Sequence, residues 1–104
     1  LFSRRNMPST TVSTTAAELI PRNRLRKSFI VQNEDAAINV FIRREEPGVL
    51  DVSTTVHDHR IGPGGNIALN DNTDGKEAIQ ARWTIIAASG TPRISLFETE
   101  DIIR

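Results

Sequence analysis

The sequence predicts an all-β protein, either an antiparallel β-sandwich or a jelly-roll-like barrel, with an extended N-terminal arm. Three observations indicate this class. Short runs of alternating apolar and polar residues recur along the chain, separated by turns rich in glycine, proline and asparagine. No long stretch keeps the 3.6-residue period of an amphipathic helix. The 104 residues are enough for one domain with a modest core.

Residues 1–15 form the predicted arm, and residues 16–104 form the predicted sandwich domain. The arm is rich in Ser, Thr and Arg and has almost no large apolar residue after Phe2, so it cannot build a core of its own. We expect it to be flexible in solution and to become ordered on a neighbouring protein. The alternatives are a terminus without a role and an edge strand that extends the sheet of a partner.

The first half of the domain begins with a segment that allows little regular structure. Residues 14–20 permit at most a short helical turn, which Pro21 ends. Strands are predicted over residues 28–32 and 37–42, and the short polar link between them predicts a hairpin. In the second strand, alternate residues starting from Ile38 share one face, and those starting from Asn39 share the other.

The second half of the domain alternates less regularly. Residues 62–65, Gly-Pro-Gly-Gly, predict a tight turn that uses the positive φ available to glycine. The run over residues 78–88 is the most apolar of the chain, so its Trp83 is expected in the core. Further strands are predicted over residues 49–60 (with at least one solvated face), 66–69, 78–88 and 93–98, with turns or loops at 45–48, 70–77 and 89–92.

Charge is balanced overall but unevenly distributed. The chain has 13 basic and 13 acidic residues, of which residues 1–30 hold six and one, and residues 31–104 hold seven and twelve. The net charges of the two parts are therefore +5 and −5. This asymmetry fits either a contact with an oppositely charged partner or a basic tail on a mildly acidic domain. The basic cluster Arg22, Arg24, Arg26 and Lys27 fits carboxylates on a partner protein at least as well as nucleic acid, which needs a more basic and aromatic surface.

Two short motifs were weighed as metal sites. His57 and His59 would share one face of a strand and are weak candidates for zinc, but a third ligand is missing, so two solvated histidines are the simpler interpretation. Residues 70–75 resemble the start of a calcium loop, but Ala81 at the twelfth position cannot bind the ion, which favours a polar turn. We therefore predict no metal site and no cofactor.

Residue types for catalysis are scarce in this chain. It contains no Cys and no Tyr, and both histidines lie in one tripeptide. No nucleophile-elbow motif accompanies them. We therefore expect a protein that acts by binding other proteins and not as an enzyme.

Several segments of residues 20–98 together resemble a family of small virion proteins of tailed bacteriophages. The resemblance covers about three quarters of the chain, and the order and spacing of the segments carry it. The resemblance implies a β-sandwich or β-barrel on the outside of the virion, whereas the segment over residues 43–61 is longer than the pattern implies. The matching segments are Ile20-Pro21-Arg22-Asn23, Arg26-Lys27-Ser28, Phe29-Ile30-Val31-Gln32-Asn33, Ile61-Gly62-Pro63-Gly64-Gly65, Trp83-Thr84-Ile85-Ile86-Ala87, Ser89-Gly90-Thr91 and Ile94-Ser95-Leu96-Phe97-Glu98.

The function expected from this resemblance is structural. It implies a decoration or cement protein that binds and stabilises the capsid shell, with a tail, collar or fibre-base component, either adaptor or receptor-binding module, as the alternative. The expected partners are the major capsid protein or another virion protein and further copies of the chain. No membrane is expected, and the location is the virion after synthesis in the cytoplasm of the host bacterium. The residues predicted to bind the partner are Phe2, Arg4, Arg5, Met7, Arg22, Arg24 and Arg26.

Overall fold

Two antiparallel four-stranded sheets packed face to face form the protein, which confirms the predicted all-β sandwich. The computed structural model describes residues 2–45 and 52–101, of which residues 2–8 and 101 are described by their backbone alone. The elements are β1 (Phe2–Thr11), β2 (Ala17–Ile20), β3 (Arg26–Asn33), β4 (Val40–Arg44), β5 (His59–Ile61), β6 (Asn66–Asn70), α1 (Asp71–Asp74), α2 (Lys76–Gln80), β7 (Trp83–Ala87) and β8 (Arg93–Asp101).

The chain passes repeatedly between the two sheets. Sheet A has the strand order β1-β8-β3-β6, and sheet B has the order β2-β7-β4-β5. The hairpin predicted between β3 and β4 is therefore wrong, because the two strands lie in different sheets. The side chain of Asn33 explains the crossing: its Nδ2 donates to the carbonyls of Ile38 and Ile61, 2.7 and 3.1 Å away, and fixes the end of β3 against the start of β4.

The N-terminal segment is extended, as expected, but it is not a free arm. β1 pairs antiparallel with β8 of the same chain and forms one edge of sheet A. The physical reason is that β8 would otherwise expose a long row of backbone groups. Val12 anchors the end of this strand, since it is 4% exposed and its N–H donates to the Pro92 carbonyl at 2.9 Å.

Three local predictions are wrong. The helical turn allowed over residues 14–20 contains instead the strand β2, because Ile20 is drawn into the core at 1% exposure. The structure describes residues 52–60 of the strand predicted over residues 49–60. Among these, only residues 59 and 60, the first two of β5, lie in a strand. The loop predicted over residues 70–77 forms α1 and the first two residues of α2, with the Asn70 side chain accepting from the Thr73 N–H at the first helix. The rest of α2, residues 78–80, replaces the start of the strand predicted over residues 78–88.

The core lies between the sheets and contains the predicted Trp83, which is 3% exposed. Its ring meets the edge of Phe29 at a centroid distance of 5.4 Å, and its Nε1 donates to the Ala78 carbonyl at 2.8 Å, so the polar end of the indole is satisfied. The predicted glycine turn is confirmed at Gly64, whose φ is 72°. The other core residues are Val12, Ile20, Val31, Val40, Ile42, Ile61, Leu69, Ile79, Ile85, Ala87, Ile94 and Leu96.

Candidate protein-binding surface

The connection between β2 and β3 carries three of the predicted binding residues. We call residues 21–26 the arginine loop. It leads the chain from sheet B to sheet A and places Arg22, Arg24 and Arg26 in two different environments. Arg22 and Arg24 are exposed, whereas Arg26 is 1% exposed. The interpretation of Arg26 as a partner-binding residue is therefore wrong.

Arg26 is bound from four directions. Its Nε donates to Oε2 of Glu98 at 2.8 Å, and its terminal nitrogens donate to the carbonyls of Ile79, Ala81 and Pro21 at 3.0, 3.1 and 2.7 Å. Four of the five guanidinium donors are thus used. Glu98 lies on β8 of sheet A, while Pro21 follows β2 of sheet B. The buried guanidinium therefore holds the two sheets together at this end.

Asn23 fixes the middle of the arginine loop. Its Nδ2 donates to Oε2 of Glu100 at 2.9 Å, and its Oδ1 accepts from the Leu25 N–H at 2.9 Å. Its backbone N–H donates to the Gln80 carbonyl at 2.9 Å, and its carbonyl accepts from the Arg26 N–H at 3.2 Å. Because Asn23 is bound to the body of the protein, the residues on either side of it project towards solvent.

Arg22 and Arg24 line an open cleft with a volume of about 570 Å³. The cleft is also lined by Arg44 at the end of β4 and by Glu77 and Gln80 of α2. Neither Arg22 nor Arg24 makes an ion pair with any residue in the described ranges 2–45 and 52–101. The cleft thus offers two guanidiniums that no described residue pairs with, on a loop that Asn23 fixes.

Glu45 also lines this cleft, but its negative charge is already neutralised by an ion pair. Its carboxylate pairs with the guanidinium of Arg82. The Nε of Arg82 also contacts Glu18 on β2 at 2.7 Å, so one arginine bridges two acids. The carboxylate of Glu45 therefore does little to occupy Arg22 and Arg24.

Lys27, the last member of the basic cluster, is also paired within the chain. Its Nζ lies 2.7 Å from Oδ2 of Asp71, the first residue of α1. The hydrogen bond from Lys27 holds the pKa of Asp71 below its usual range. Of the four basic residues in the cluster, only Arg22 and Arg24 project freely from the surface.

The two histidines do not share a face, contrary to the prediction. His57 precedes β5 and packs on Phe41 at a centroid distance of 4.5 Å, on the outer side of sheet B. His59 lies in β5 and faces Trp83 on the inner side, 6.2 Å between ring centroids. Within the described part of the chain, no three His, Asp or Glu side chains are grouped closely enough to hold a metal ion.

The predicted binding residues of the N-terminal segment take defined positions along β8. Phe2 lies opposite Asp101, Arg4 opposite Thr99, Arg5 opposite Glu98 and Met7 opposite Leu96. These positions are set by the backbone register alone. Partner binding by these four residues remains a prediction.

The outer face of sheet A is a second candidate surface, and its part over β3, β6 and the middle of β8 is uncharged. At the centre of this uncharged patch Ile30 lies between Ala68 of β6 and Phe97 of β8, and Ile30 is 40% exposed. Charged positions adjoin the patch at Arg93 and Asp101 of β8 and at Arg4 of β1, which lies opposite Thr99. The nine outward positions where β3 pairs with both β6 and β8 are Ser28, Ile30, Gln32, Asn66, Ala68, Asn70, Ser95, Phe97 and Thr99.

The outer face of sheet B is different, since His57 covers Phe41 there and Arg43 lies 3.7 Å from Asp58.

The fold and these surfaces define an all-β sandwich with an arginine-lined cleft and an uncharged patch on the outer face of sheet A. No protein-family model, no curated protein and no solved structure matches the chain. In the ranges that the structure describes, no helix is long and apolar enough to cross a membrane. The role of the protein therefore has to be inferred from the geometry of its surfaces.

Proposed function

We propose that the chain is a structural protein of a tailed-bacteriophage virion, which binds the capsid shell and stabilises it as a decoration protein. The observation that carries this proposal is the uncharged patch that β3, β6 and the middle of β8 present on the outer face of sheet A. The resemblance of residues 20–98 to small virion proteins supports it from the sequence. A tail, collar or fibre-base position is the alternative that the same surface would serve.

The composition of this face is that of an interface between proteins. The centres of such interfaces are depleted of charged residues, while one quarter of this chain is Asp, Glu, Lys or Arg. The nine outward positions where β3 pairs with both β6 and β8 include none of these four residues. Charged positions, Arg93 and Asp101, occur only further along β8, on either side of this patch. The hydroxyls of Ser28 and Thr99 lie 2.6 Å apart and bond to each other, which lowers the cost of covering them.

A shell is a suitable partner for a face of this size. The uncharged patch spans three strands, about 14 Å across at about 4.8 Å per strand, which is smaller than a standard stable interface. A single contact of this area is weak, but a repeating lattice presents many sites. Several copies joined to one another then bind tightly through avidity.

A matched pair of substitutions tests the proposal. Ala68→Glu places a charge on the proposed face at the β6 edge of sheet A, and Ala88→Glu places the same charge directly after β7 of sheet B. Both alanines are exposed, so both variants are expected to fold. We expect Ala68→Glu to abolish co-sedimentation of the chain with capsid shells of the virus that encodes it, and Ala88→Glu to leave it unchanged.

The outcomes separate the possible roles. Co-sedimentation with capsids that only Ala68→Glu removes supports the decoration role. Recovery of the chain with purified tails and not with capsids would favour the tail or fibre-base alternative. Absence of the chain from purified particles, or equal behaviour of the two variants, would contradict the proposal.

A further inference from the structure

We infer that the cleft at the arginine loop binds acidic side chains of an extended segment on the partner protein. Arg22 and Arg24 supply the two guanidiniums that recognise the carboxylates. The inference rests on the proposed function for the class of partner, a second virion protein. It goes beyond that function because it assigns a separate surface and a specific chemistry.

The first step is that the cleft is organised before a partner arrives. Asn23 makes two hydrogen bonds to residues outside the loop, Glu100 and Gln80, and two within the loop, to Leu25 and Arg26. The next fixed point is the buried Arg26. Arg22 and Arg24 lie on either side of Asn23, so their Cα positions are set by these bonds. Fixed backbone positions reduce the entropy that binding has to overcome.

The second step is that the two exposed guanidiniums of this loop make no ion pair among the described residues. In those ranges Arg22 and Arg24 have no carboxylate partner, whereas Arg26 pairs with Glu98, Lys27 with Asp71, and Arg82 with both Glu18 and Glu45. A guanidinium binds a carboxylate through two parallel hydrogen bonds, which an ammonium group cannot match in geometry. Arg22 and Arg24 are both arginines and not lysines, which fits recognition of planar carboxylates.

The third step distinguishes carboxylates from phosphates. Glu77 lines the same cleft, and its charge opposes the entry of a dense polyanion such as a nucleic acid backbone. The whole chain has no net charge, so it lacks the field that nucleic acid binding requires. An acidic peptide segment has a lower charge density, and its backbone N–H groups and basic side chains can contact Glu77 and Gln80.

A peptide titration of the full chain tests the inference. The probe is the acetylated and amidated peptide Gly-Asp-Gly-Asp-Gly, and its Asn-containing twin is the control ligand. We expect the acidic peptide to shift the NMR signals of Arg22, Arg24 and Gln80, with an affinity that falls as salt is added. The twin should cause no such shifts.

A charge-matched pair of variants keeps the test specific. Arg22→Glu/Arg24→Glu should raise the Kd for the acidic peptide by roughly tenfold or more, because two charge-assisted contacts are lost. Arg60→Glu/Arg93→Glu makes the same change in net charge at two exposed arginines away from the cleft and should change the Kd by less than about twofold.

Three results would overturn the inference. They are equal weakening by the two double variants, equal binding of the Asn twin, and tighter binding of inorganic pyrophosphate than of the acidic peptide at the same signals. Particle association is read separately: a cleft that binds the peptide in a chain absent from virions would sustain the cleft and refute the virion role. A chain present in virions whose cleft ignores the peptide would do the reverse.

Discussion

Arg26 and the pair Arg22 and Arg24 lie in one loop and have the same side chain, yet they have opposite roles. Arg26 is 1% exposed and joins the two sheets through Glu98 and three carbonyls. Arg22 and Arg24 are exposed and contact no acid in the ranges that the structure describes. The comparison shows that neighbouring arginines in one sequence cluster can have different roles. Arg26 stabilises the fold beneath the loop, and Arg22 and Arg24 form part of the exposed surface that the loop presents.

The largest effect is expected when the buried member is removed. Arg26→Met removes the guanidinium that donates to the Glu98 carboxylate and to three carbonyls, and the free energy of unfolding should fall by about 3–5 kcal/mol. Urea unfolding followed by the fluorescence of Trp83, which packs on Phe29, measures it. The double variant Arg26→Met/Glu98→Leu should recover part of the loss, because the buried carboxylate is removed together with the guanidinium. A loss below about 1 kcal/mol for Arg26→Met would contradict the structural role.

A smaller effect is expected at the residue between the exposed pair. Asn23→Ala removes two side-chain hydrogen bonds, so the free energy of unfolding should fall by about 1–2 kcal/mol. The affinity of the cleft for the acidic peptide should also fall, although Arg22 and Arg24 are retained. Unchanged peptide affinity in a destabilised variant would show that Asn23 supports the fold but does not position the arginines.

The smallest effect on stability concerns Lys27 and appears in acid. Because the folded pKa of Asp71 is lowered, the pair contributes stability above the unfolded pKa of Asp71 and loses it as the pH falls through the folded pKa. Lys27→Met should raise the pKa of Asp71 and remove this contribution. An NMR titration of the Asp71 carboxyl carbon in both proteins checks the direction, and an unchanged pKa would contradict it.

The sequence predicted the architecture well, because the alternation of apolar residues sets which face of each strand is buried. The strands around Val31, Leu69, Ile85 and Leu96 form as expected, and Trp83 lies in the core. The hairpin prediction is wrong for a reason that the local pattern does not contain. The Asn33 side chain binds the carbonyl of Ile61, 28 residues away, as well as that of the nearby Ile38, where the chain passes to the other sheet.

The inward direction of Glu98 could have been found from the sequence. Glu98 follows Ile94 and Leu96 at intervals of two residues along the strand, so the three side chains lie on the same face, and Ile94 and Leu96 are both buried. A carboxylate at such a position needs a buried cation. The sequence does not show, however, that Arg26 points inward. Simple alternation counted back from Phe29 places Arg26 on the outer face, because it misses the register shift between Arg26 and Ser28.

The sequence could identify Arg22 and Arg24 as candidates but not the cleft that they line. The rest of the lining comes from Arg44 and Glu45 and from the segment that contains α2. α2 lies partly in a segment expected to be a loop. Long-range packing decides which of these side chains meet. The histidine motif shows the same limit, since His57 lies outside a strand and the alternation of faces does not apply to it.

Hydrogen exchange at the arginine Nε–Hε groups, followed by NMR, tests the central claim most directly. A division of the loop into buried support and exposed binding surface predicts that the Arg26 proton exchanges at least roughly 100-fold more slowly than those of Arg22 and Arg24. Exchange of the Arg26 proton as fast as the other two would show that Arg26 is not buried against Glu98, and the account of the loop and of its cleft would be wrong.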